Sequence, residues 1–219
     1  MARRPARPKR KGPRAATGRR RGRYHHGNLP RALVDAALRL VEREGAEALT
    51  LRGAARLAGV SQAAPYRHFA DKQALLAAVA EEGFRAMTDA MRRASTAHAG
   101  DPLGRFRALG LAYIEFATTH RAHFRVMFGR AAADRSVYPS LEKAAGETFG
   151  LLVEAIRDCQ RAGLVHPGDP DELALAAWSG THGLSSLAVD GQLALMGGRP
   201  LETLTQAVMA NIFFGLGSR

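Results

Sequence analysis

Residues 50–76, TLRGAARLAGVSQAAPYRHFADKQALL, constrain the chain more than any other stretch. Thr50 precedes a short Ala/Leu-rich segment and is a candidate N-cap, with a hydroxyl able to accept from a backbone N–H of the first turn. Gly59 ends that helix, Gly59-Val60-Ser61 makes a tight turn, and Ser61 is the candidate cap of a second helix, QAAPYRHF. Pro65 falls at the fourth position after that cap, where it forfeits at most the first intrahelical bond. Ala54, Ala55 and Leu57 offer small packing surfaces to the second helix, and Val60 plugs the angle between the two. Asp71 then caps a helix from Lys72 to about Met91. Two short helices at a tight turn are a helix-turn-helix, whose second helix enters the major groove of DNA.

The remainder reads as helix throughout, so the expected fold class is all-α. Leu33, Ala36, Ala37, Leu40 and Val41 recur at helical spacing before a stop near Gly45. Asp101-Pro102 is an N-cap with proline at N1, opening a helix that carries Phe106, Leu109, Tyr113 and Phe116 on one side. Pro139 opens a long helix to about Ala162, stopped by Gly163. Asp169-Pro170-Asp171-Glu172 is a capping box before a helix toward Leu187, and a last helix spans Leu201 to about Phe214. The expected organisation is a basic disordered arm (1–23), an N-terminal three-helix helix-turn-helix DNA-binding domain (24–85), and a larger C-terminal helical ligand-binding and dimerisation domain (86–219).

Charge separates the first of these from the rest. Residues 1–23 hold eleven of the 32 Lys and Arg and no acid, leaving 21 basic against 20 acidic groups elsewhere. Such an arm buries too little apolar surface to offset its ordering entropy, and it binds DNA by counterion release or serves only as a solubilising tail. A single cysteine, Cys159, excludes an intramolecular disulfide framework and suits a reducing cytoplasm. No run of 18 apolar residues is present, so no membrane span is expected. A cytoplasmic, nucleoid-associated protein is the expectation.

The segment YHHGNLPRALVDAALRLVEREGAEALTLRGAARLAGVSQAAPYRHFADKQALLAAV, and within it GVSQAAPYRHFADKQALL, resembles the N-terminal domain of the TetR family of transcriptional regulators over roughly residues 24–85. Trp178-Ser179-Gly180-Thr181-His182-Gly183 resembles the Trp…His-Gly signature of a TetR subgroup with a WHG-type C-terminal domain. The resemblance implies a homodimeric, ligand-responsive repressor of a palindromic double-stranded DNA operator, released by an unidentified apolar small-molecule effector. It implies no enzyme activity, no cofactor, no metal and no membrane association.

Chemistry can be assigned beside the resemblance. The Gln62 amide suits bidentate pairing with adenine, and Ala63 and Ala64 leave room for close approach to thymine methyls. Ser61 and the N–H groups of a helix N-terminus suit a phosphate. Tyr66 and His68 are donors to phosphate, or Tyr66 packs beside Phe69. Arg67 reads a base or is a solvated charge, and Pro65 lies within the same reading segment. Thr50 and Arg52 face the opposite phosphate strand. Lys72 matches the family's backbone-contact position, or merely starts a helix, where a cation is mildly unfavourable.

The family places an effector pocket among the middle helices. Phe106, Tyr113, Phe116, Phe124, Met127, Phe149, Trp178 and His182 are the candidate lining residues, with core packing as the alternative for each. The last two helices are the implied dimer surface, with Leu173, Leu175, Leu184, Leu187, Leu204, Val208, Ile212 and Phe213 as its apolar positions and Gly180 and Gly183 allowing close approach. Other readings are weaker. His120 and His123 are i, i+3 but lack the HExxH glutamate, and no phosphate loop or nucleophile elbow is present. A nonspecific nucleic-acid binder driven by the arm, or an activator of the same fold, are the remaining alternatives. Cys159 is a redox sensor or a buried inert thiol.

Overall fold

The computed structural model describes residues 28–129 and 134–217. The basic arm, residues 1–23, lies outside them. Eight α-helices make up the described residues: α1 (Leu29–Glu44), α2 (Leu51–Ala58), α3 (Lys72–Thr96), α4 (Pro102–Thr119), α5 (Arg121–Phe128), α6 (Pro139–Arg161), α7 (Pro170–Val189) and α8 (Leu201–Leu216). The all-α reading holds. The one β-type pairing among them is an isolated bridge between Val165 and Gly217, which ties the end of α8 to the α6–α7 connection.

Side-chain caps set the helix starts. Asn28, Thr50, Asp71 and Asp101 each accept from the N–H three residues on, satisfying a donor that has no partner inside the helix. Asp169 accepts instead from Asp171, two residues on, so the expected capping box forms only in part. Val34, Leu40, Ala54, Leu75 and Val79 bury the three-helix N-terminal unit in the same core as Phe84, Met87, Phe106, Leu109 and Ile156. That continuity comes through α3. Its sequence holds no proline and only one glycine, Gly83, so it runs 25 residues, across the expected domain boundary at 85 and past the expected end at Met91.

One expected helix does not form. QAAPYRHF is only a 3-10 turn at Pro65–Arg67, and Ser61 caps nothing among the described hydrogen bonds. The physical reason is Pro65. Its nitrogen carries no hydrogen, so the Ser61 carbonyl has no donor four residues on and accepts from Ala64 N at 3.0 Å instead. Arg67 to Ala64 and His68 to Pro65 continue the tighter spacing. Gly59 supplies the sharp entry, at φ 72 and ψ 25.

Candidate nucleic-acid interface and internal cavity

The segment expected to read DNA, residues 61–68, sits between α2 and α3, fixed at both ends. Val60 N donates to Ala55 O, while Pro65 and Phe69 point inward and anchor the middle. Pro65 is buried within that segment. Ser61, Gln62, Ala63, Tyr66, Arg67 and His68 are exposed on one short stretch, with Ala64 half-buried. Tyr66 is 53% exposed, so the alternative of packing beside Phe69 falls away. Thr50 and Arg52 are exposed at the start of α2, but the Thr50 hydroxyl is already engaged with Gly53 N at 3.0 Å. Lys72 Nζ donates to Glu47 O at 2.8 Å, tying the α1–α2 connection to the start of α3.

The far half of α3 walls a cavity of about 420 Å³. Phe84 and Met91 of α3, Tyr113 of α4, Thr148, Phe149 and Leu152 of α6, and Trp178 of α7 line it, with Phe128, Arg135 and Glu142 at one end. A void of about 30 Å³ shares Met91, Tyr113, Leu152 and Trp178 with it and adds Phe106. Of the eight residues expected to line a pocket, Tyr113, Phe149 and Trp178 reach the main cavity and Phe106 the void. Phe116, Phe124 and Met127 do not. Phe116 stacks on His120 at 4.4 Å, Met127 presses against Gly83, and Phe124 packs edge-on to Tyr113.

His182 does not line the cavity but packs behind its wall, against Tyr113, Phe128 and Trp178. Trp178 Nε1–H can only donate, and it donates to the Tyr113 hydroxyl at 3.1 Å. The same hydroxyl shares a hydrogen bond with His182 Nδ1, 2.7 Å away. His182 Nε2 faces Ser186 Oγ at 3.3 Å. Burial lowers the His182 pKa and raises that of Tyr113, in agreement with both groups staying neutral.

Sequence reasoning missed Arg135. The guanidinium lies 4.9 Å from the Phe84 ring centre and 5.9 Å from that of Phe128, and it donates to Met127 O at 3.2 Å. Burial lowers its pKa. No motif marks it, because Phe84 and Phe128 are brought to it only by the fold. Elsewhere, Cys159 is fully buried and donates to Pro102 O, and burial pushes its thiol pKa up to about 11, so it is the inert thiol. No group of three metal-ligating side chains occurs among the described residues, and no helix there is long and apolar enough to cross a membrane.

A three-helix N-terminal unit with an exposed segment after its tight turn, joined by one continuous helix to a cavity-bearing bundle, fits a class, the helical DNA-binding transcription regulators. Residues 33–79 match the bacterial regulatory proteins of the tetR family, and residues 106–212 match the tetracyclin repressor-like C-terminal domain. The chain belongs to the TetR family of transcriptional regulators and is not an enzyme. Among solved structures it is similar to a protein of unknown function from Rhodococcus sp. RHA1, at 37% identity and a TM-score of 0.78, over 90% of this chain and all of that one. It shares its fold with the TetR regulator PfmR from Thermus thermophilus (20% identity, TM-score 0.66, 85% of this chain and 99% of that one). The fatty acid degradation regulator FadR from Bacillus halodurans has the same fold (16% identity, TM-score 0.69, 87% and 97%). Comparison with curated proteins gives no match.

Proposed function

We propose that the chain is a dimeric repressor that reads a palindromic operator and releases it when a small molecule fills the cavity. The observation that carries this reading is α3. Its first residue, Lys72, follows the reading segment directly, and its later turns supply Phe84 and Met91 to the cavity wall. A ligand that prefers one position of that helix biases the spacing of the two reading segments in a dimer, and only such a differential preference releases DNA. Gln62, Ala63, Ala64 and Arg67 read bases, while Tyr66, His68 and the start of α2 hold phosphates. Lys72 exchanges its Glu47 carbonyl for a phosphate on binding.

The test is selection from a random duplex pool with the full-length protein, then a salt series on the winners with and without residues 1–23. A palindromic consensus that survives removal of the arm is expected. Gln62→Ala should relax base preference, whereas Lys72→Ala should weaken all duplexes about equally and flatten the salt slope by ~1. Binding that is sequence-blind and vanishes with the arm would replace this reading with a nonspecific binder.

A further inference from the structure

The cavity has two unlike ends. Ser140 Oγ on α6 donates to Glu81 on α3, and Thr148 on α6 pairs with Thr88 on α3, so the two helices run in the same direction. Phe84, Arg135 and Glu142 therefore lie at one end, and Met91 and Leu152 at the other. Ten residues of α6 separate Glu142 from Leu152, about 15 Å at a helical rise. At the far end the shared void extends the apolar wall with Phe106 and Leu109. Between the ends the polar groups are already satisfied. Thr148 and Thr88 bond each other, and the Tyr113 hydroxyl is held by Trp178 and His182.

Arg135 is the exception. Its one hydrogen bond among the described residues goes to Met127 O, out of five guanidinium N–H donors. No carboxylate of the described residues forms an ion pair with it, and the remaining positions of the chain carry no acidic side chain. A half-buried cation over two phenyl rings without a carboxylate partner is costly unless an anion completes it. Its planar fork matches a carboxylate bidentately. Glu142 borders the same end but is exposed, with its charge solvated.

We propose that the cavity takes an amphipathic carboxylate, with its head group on Arg135 and its apolar chain running toward Met91 and Leu152. This rests on the effector reading above and adds the chemical class. Glu142 sets the limit of that class, because it disfavours a second negative charge at the mouth.

The protein carries its own reporter, since Trp178 is the only tryptophan and lines the cavity. The full-length protein is titrated with decanoate, decanol and decylamine, reading Trp178 emission and release of a selected duplex. Decanoate should bind at least about tenfold tighter than decanol, the range of a charge-assisted hydrogen bond. Arg135→Met should bring decanoate down to the level of decanol, Arg135→Lys should keep part of the preference, and Glu142→Gln should leave decanoate binding equal or tighter. Glu142→Gln keeps the test valid if the Arg135 variants do not fold.

Decanol or decylamine binding as tightly as decanoate would overturn the carboxylate class. If either then released the duplex, the effector reading would stand without it. Unchanged decanoate binding in a folded Arg135→Met would also overturn it. So would no binding by any of the three up to their solubility. In that last case Gly146→Phe, whose Cβ meets no atom within 4 Å and which fills the same cavity, still reports whether occupancy weakens DNA binding.

Discussion

At the scale of single residues, the Trp178–Tyr113–His182 network makes stability depend on pH in a defined direction. His182 is neutral in the fold and its pKa is lowered by burial, so the unfolded chain binds the proton more readily. Its contribution is fully present above the unfolded value of about 6.5 and is lost as pH falls from there through the lowered folded value. His123 shifts in the same direction, chiefly by burial; its Nε2 lies 3.5 Å from Glu82 but forms no hydrogen bond. Urea midpoints measured from pH 8 to pH 5 should therefore fall, and His182→Gln should fall less steeply because one of these two histidines is gone. Equal slopes for the two proteins would refute the assignment to His182. Trp178 and His182 can be paired from sequence as i, i+4 neighbours, but Tyr113 lies 65 residues from Trp178 and no local spacing announces it.

At the scale of elements, caps are the most legible feature. Thr50, Asp71 and Asp101 each stand where a short polar side chain precedes a helical pattern, and each accepts the bond expected of it. The segment after Ser61 reads as helix because one proline near a helix start is tolerated on average, whereas here the whole stretch before Phe69 is too short to recover from the lost donor. Close approach between helices is less legible still. A Cβ on Gly83 of α3 would lie 2.5 Å from Met127 Sδ and 2.9 Å from its Cγ, with His123 Cβ at 3.3 Å. The fully buried Met127 of α5 can move only by displacing the core packed around it. Gly83→Ala gains helix propensity of about 1 kcal/mol. Overpacking costs about 1–3 kcal/mol, so the substitution should be neutral to destabilising by ~2 kcal/mol. Gly83→Val should be worse. A rise in urea midpoint for Gly83→Ala would mean that α3 and α5 separate freely.

At the scale of the whole molecule, the proposed palindrome reading needs two reading segments at a fixed distance, and one chain supplies only one. Much of the apolar surface of α7 and α8 is spent within the chain. Leu184 and Leu204 pack with Ile114 in a cluster of their own, Gly180 receives Ile212, and Phe213 lies under Arg107. The positions expected from sequence to face a partner are thus divided, because a helical pattern shows that a face is apolar but not which neighbour covers it. Of those positions Leu175 at 51% exposure and Leu187 at 48% stay uncovered, as does Phe214 of α8, which is not one of them, at 81%. Burying a phenylalanine contributes about 1.5–3 kcal/mol, and twofold symmetry counts each such contact twice. Phe214→Glu should therefore leave the helical content of the chain intact, since the side chain touches little of its own fold. It should shift sedimentation from dimer to monomer at micromolar concentration. Affinity for a palindromic duplex should then drop by at least about tenfold, while a single half-site is bound as before, because the reading segment itself is untouched. A dimer that persists with two glutamates facing each other would move the interface away from the end of α8.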